Sequence, residues 1–124
     1  MISPARMAEG ASDAAALMKA LSSEHRLLIL CHLISQDEMP VHELVSKIGL
    51  SQSALSQHLG KLRAEGLVTF RREAQTLFYR VSDDRAANVL FLLQEMFCEA
   101  SNSDLRKSRM APRRLARNKT PRGV

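Results

Sequence analysis

Residues 50–59 read Leu-Ser-Gln-Ser-Ala-Leu-Ser-Gln-His-Leu, and the spacing within this stretch decides how the rest of the chain is organised. Ser51 is a favoured helix N-cap, and it heads a helical run over Gln52–Glu65 that Gly66 ends. Leu55, Leu59 and Leu62 recur on one face of that run, whereas Ser53, Ser56, Gln57 and Gly60 fall on another. The leucine face belongs to a core. The other face offers short hydrogen-bonding groups and a glycine, the chemistry a helix needs to approach base edges in a DNA major groove.

Upstream, Val41–Ile48 is a short helical run stopped by Gly49, so Gly49, Leu50 and Ser51 make the three-residue corner of a helix-turn-helix. Two further helices are expected before it. One is Ser12–Leu21, with Ala14, Leu17, Met18 and Leu21 at helical spacing; the other is Glu24–Ser35, capped by Ser22 or Ser23, with Leu27, Leu28, Cys31 and Ile34 on one stripe. Residues 1–11 read as a flexible N-terminus, and Gln36–Pro40 as a polar break. Downstream, Leu67–Arg71 and Gln75–Val81 are rich in β-branched and aromatic residues and read as a hairpin joined through Arg72–Ala74.

A last helix is expected over Asp83–Ala100, apolar nearly all round. Such a helix is hard to bury within one small domain, so with the first helix it makes a natural homodimer surface. The fold class is therefore mainly α with a β-hairpin wing: four helices, a hairpin and a fifth helix, a winged helix-turn-helix. Residues 12–101 form the DNA-binding and dimerisation domain, and 102–124 read as a disordered basic tail.

Composition narrows the function. A chain of 124 residues with 45% hydrophobic and 25% charged residues is an ordinary single globular domain. It has four Phe, one Tyr and no Trp, which excludes an aromatic stacking platform for single strands. The net charge of +5 is uneven: from Asn102 onward eight Lys or Arg face one acid, while the preceding 101 residues hold ten basic and twelve acidic side chains. Within that acidic body, Lys47 to Arg80 carries six Lys or Arg against Glu65 and Glu73, a local reversal suited to neutralising phosphates. No secretory signal precedes the two cysteines, and the longest apolar stretch, Leu27–Ile34, is eight residues interrupted by His32. A cytoplasmic protein with no membrane partner is expected.

The order of elements and several matching residues resemble the ArsR/SmtB family of small homodimeric bacterial repressors. The resemblance runs over residues 13–100, about seven tenths of the chain. It is carried by His25-Arg26-Leu27-Leu28-Ile29-Leu30, by Glu43-Leu44, by the 50–59 stretch, by Leu62-Arg63 with Gly66-Leu67-Val68, and by Arg71-Arg72 with Tyr79. It implies binding to double-stranded operator DNA with an imperfect palindrome. With the exposed helix face, it nominates Ser51, Gln52, Ser53, Ser56, Gln57, His58, Lys61, Arg71, Arg72 and Gln75 as DNA-contacting residues. The wing departs from the family where Glu73-Ala74 replaces a common Gly and Gln75 a common Arg.

Many family members sense metals, but the ligand sets are missing. Val45 and Ser46 occupy the positions of one class's Cys-x-Cys pair, and no His follows His58 for the class that uses the last helix. No metal site and no cofactor are expected. Cys31 and Cys98 resemble, by context, the thiol pair of the family's persulfide-responsive branch, which implies redox sensing with reactive sulfur species as inducer. The alternative is equally concrete: both thiols fill space in helices, and the chain is similar to a nodulation-repressor branch that shares the recognition run and Ala74-Gln75-Thr76 and has no known inducer. An enzyme is not expected, because Cys31 and His32 point about 100° apart on a helix and no phosphate loop or nucleophile elbow is present. A sequence-neutral nucleoid protein remains a third reading, resting on the tail alone.

Overall fold

A computed structural model describes residues 1–98, and contacts divide the chain into a unit over Met1–Ser82 and a second beginning at Asp83. The basic tail expected over 102–124 lies outside the described residues. In the first unit the order is α1 (Pro4–Leu21), α2 (Glu24–Gln36), β1 (Met39–Pro40), α3 (Val41–Ile48), α4 (Gln52–Ala64), β2 (Val68–Glu73) and β3 (Thr76–Val81). The described part of the second unit is α5 (Asp84–Phe97). The winged helix-turn-helix fold expected from the sequence is what the chain adopts. No helix among the described residues is long and apolar enough to cross a membrane.

Local chemistry sets each boundary. The first helix begins at Pro4, well before the expected Ser12, because Ser3 caps it by accepting from the Arg6 N–H and Pro4 tolerates the first helical position. Ser23 and Ser51 cap α2 and α4 by accepting from the N–H groups of Arg26 and Ala54. Gly49 ends α3 at φ 85°, the left-handed conformation the corner requires, and its N–H donates to the Val45 carbonyl.

The sheet holds one strand more than the hairpin alone. Met39 and Pro40, inside the expected polar break, pair antiparallel with Tyr79 and Phe78, giving the strand order β1-β3-β2. In the hairpin, Glu73 opposes Thr76, so the loop is Ala74-Gln75 alone and Arg72 lies within β2, not in the connection. Ladder hydrogen bonds draw Met39, Pro40 and Arg72 into the sheet, which composition alone does not report.

The core of the first unit is aliphatic, with Ile29, Leu30, Leu33, Leu44, Leu55 and Leu62 wholly buried and Met39, Leu59, Leu67 and Val68 nearly so. Tyr79 is its one buried aromatic among the described residues. Each fully buried Leu or Ile contributes about 1.5–3 kcal/mol. On α2 the buried set is Ile29, Leu30 and Leu33, not the expected stripe: Leu28 and Cys31 are exposed. The helix is apolar on most sides, so its periodicity alone cannot say which face turns inward.

Candidate nucleic-acid interface

The three buried leucines of α4 fix its rotation about its own axis, and that rotation decides which side chains reach solvent. Gln52, Ser53, Ser56, Gln57, Gly60 and Lys61 are all exposed, as the sequence predicts. Ser51 sits at the helix head with its hydroxyl engaged as the cap, 3.1 Å from the Ala54 N–H and 3.4 Å from the Ser53 hydroxyl. A Cβ added at Gly60 would meet no protein atom within 4 Å, so nothing inside the chain requires a glycine there. What the glycine leaves open is space outside the protein.

His58 departs from this pattern. Its ring is half-buried and meets α2, where Arg26 Nη1 donates to His58 Nδ1 at 3.3 Å and the His25 ring lies 5.7 Å away. The sequence places His58 with the DNA-contacting residues; the structure gives its ring a partner within the protein.

The wing is also partly engaged. Arg71 Nε donates to both carboxylate oxygens of Glu38 at 2.9 and 3.1 Å, its Nη1 donates to Glu73 at 2.9 Å, and its guanidinium lies over the Phe78 ring at 4.5 Å. The guanidinium beside Glu38 holds that carboxyl below the usual carboxylate range. Glu38, then Glu73, raise the Arg71 pKa in return. Arg72 and Gln75 are exposed, and Arg72 has no ion-pair partner among the described residues. The sequence gives no signal for Glu38, which lies in the expected polar break, nor for the stacking of the Arg63 guanidinium on Phe70 at 4.4 Å. Only the pairing of β1 with β3 reveals the first.

Cys31, midway along α2, and Cys98, the C-cap of α5, are both solvent-exposed. Among the described residues no group of three or more His, Cys, Asp or Glu side chains converges to hold a metal ion.

Comparison with known proteins matches residues 23–69 to the model of the bacterial regulatory proteins of the arsR family. The chain is 46% identical over 95 residues to the transcriptional activator HlyU of Vibrio cholerae, covering 77% of this chain and 87% of that protein. It is 47% identical over 94 residues to the nodulation protein NolR of Rhizobium meliloti, 76% of each chain. The crystal structure of the transcriptional repressor BigR from Xylella fastidiosa superposes with a TM-score of 0.74 at 38% identity, covering 78% of this chain and 98% of that one.

Proposed function

Because the chain belongs to the ArsR family of bacterial DNA-binding transcriptional regulators, we propose that it works as a homodimeric repressor released by sulfur chemistry. The outward face of α4 reads the operator, and Cys31 and Cys98 carry the signal. The observation that supports the reading most is that Gln52, Ser53, Ser56 and Gln57 are exposed on the helix whose opposite face is locked into the core. Gln57 can bond adenine in two places, a contact that discriminates by roughly 1–3 kcal/mol. Two such helices in a dimer meet major grooves about one turn apart, hence an imperfect palindrome. Apolar side chains exposed on α1 (Met7, Met18) and on α5 (Leu92, Met96, Phe97) supply surface for the second copy.

Exposure of both thiols favours sensing over space filling, since a sulfur donor reaches them directly. One thiolate attacks a sulfane sulfur of polysulfide, the S–S bond breaks, and the shortened polysulfide leaves with the electron pair. The other thiolate then attacks the protein-bound sulfur of the resulting persulfide, forming a disulfide and expelling hydrosulfide. The thiols are oxidised and the sulfane sulfur is reduced. A link closing a loop of this length biases the domain by up to about 4 kcal/mol, enough to shift a population. Vibrio cholerae HlyU, a relative, has been solved in a form named reduced, at 46% identity and a TM-score of 0.70.

The DNA reading is tested with the duplex the wild-type chain selects from a random pool, against a scrambled duplex of the same composition. Gln57→Ala should lower the preference about tenfold or more while sedimentation still shows the dimer. An unchanged preference would remove Gln57 from the reading set.

A further inference from the structure

Arg26 joins three helices at one guanidinium. Its backbone N–H is the donor to the Ser23 cap that starts α2. Its Nε donates to the carbonyl of Ala20, in the last turn of α1, at 2.6 Å, and its Nη1 donates to His58 Nδ1 on α4 at 3.3 Å. Arginine has no acceptor, so Nδ1 must offer a lone pair and the His58 ring in this contact carries no proton there. The partner of α4 on this side is thus a fork anchored to the end of α1, one residue along the helix from Gln57.

We propose that Arg26 is a positioning residue for DNA reading: the buried leucines fix which face of α4 turns inward, Arg26 through neutral His58 holds the helix in its final seat on α2, and a proton on His58 loosens that seat. The inference rests on the reading of α4 as the recognition helix. A proton on Nδ1 removes the acceptor and leaves two cations facing each other at hydrogen-bond distance. Among the described residues, no acidic group acting on His58 offsets the added charge. The groups acting on His58 are Arg26 and His25 from α2 and Lys61 from its own helix, and α3 and β2, which also pack on α4, add none. Burial, then Arg26, push the His58 pKa below its ordinary value, so the ring is neutral at neutral pH. A direct base contact tolerates only small displacements of the side chain that makes it. A shift of α4 in its seat therefore weakens sequence preference, while an extra positive charge raises attraction to any phosphate. The signature is loss of preference, not loss of binding.

The test measures the ratio of affinities for the selected and scrambled duplexes at about pH 7.5 and about pH 5.5. Wild type comes first: if it selects no duplex, the DNA reading itself fails. If it does, its ratio should fall on acidification. His58→Asn keeps an acceptor and cannot take the proton, so its ratio should be the same at both pH values. Arg26→Met keeps the stem and loses the fork, and its ratio at the higher pH should drop about fivefold, with no further fall on acidification. Arg26→Lys, which cannot reach both partners at once, should show the same loss, and covers the case in which Arg26→Met does not fold. Wild-type preference in both Arg26 variants, or a persisting pH response in His58→Asn, would overturn the proposal.

Discussion

Glu38, in the bend between α2 and β1, accepts both oxygens' worth of hydrogen bonding from a single nitrogen of Arg71 on the wing. A cation nominated for phosphate is thereby held by a carboxylate of its own chain. Glu38→Gln removes that competitor. Both side chains reach solvent, where water screens the pair, so little stability should be lost. Non-specific DNA affinity at low salt should rise, and the slope of log K against log salt should steepen by about one, read by anisotropy over a salt series.

Gly60 makes opposite predictions for folding and for binding. It lies inside α4 with open space where a methyl would go. Gly60→Ala should stabilise the fold by about 0.5–1 kcal/mol in urea denaturation, because alanine loses less backbone entropy in a helix. If α4 is the recognition helix, the same methyl would stand between it and the groove floor, so operator affinity should fall. A rise in both would mean that α4 approaches nothing there.

Ala74 is held at φ 57° as the first residue of a two-residue hairpin loop, and its neighbour Gln75 has no positive φ. That pattern suits a type II′ turn, in which glycine is favoured at the first position. Ala74→Gly should raise stability by about 0.5–1 kcal/mol after the entropy of the unfolded glycine is counted. Thermal unfolding followed by circular dichroism reads it directly.

Asp83 caps α5 by accepting from the Arg85 N–H at 2.7 Å and pairs with the Arg85 guanidinium at 3.1 Å. The Arg85 hydrogen bond is the main cause that lowers its pKa from 3.8. A lowered carboxylate pKa means that the unfolded chain binds the proton more readily, so this stabilisation is complete above the ordinary value and lost as pH falls through the folded one. Asp83→Ala should cost about 1 kcal/mol at neutral pH, and the difference from wild type should shrink in acid.

Most of the fold is legible in the sequence because its signals are local. Ser51, Gly49 and Gly66 mark the ends of α3 and α4, and the leucine spacing of α4 fixes its inward face. The outward set of Gln52, Ser53, Ser56 and Gln57 follows from that spacing. What could not be read depends on partners distant in sequence. Glu38 meets Arg71 only because β1 joins β3, and His58 meets Arg26 only because α2 packs on α4. The exposed side of α2, with Leu28 and Cys31, was hidden by a helix apolar almost all round. Ser3 and Pro4 start α1 early through a cap that short-range periodicity passes over.

DNA binding and the state of the two thiols can be read in one measurement. The selected duplex is titrated with the reduced protein by fluorescence anisotropy, before and after inorganic polysulfide, with intact-mass spectrometry on the same samples. Binding should be lost together with a mass change confined to Cys31 and Cys98, either added sulfur or the loss of hydrogens that a disulfide brings, and Cys31→Ser should still bind but no longer respond. Binding that persists after polysulfide with both thiols unmodified, or a Cys31→Ser protein that still responds, would contradict release by sulfur chemistry.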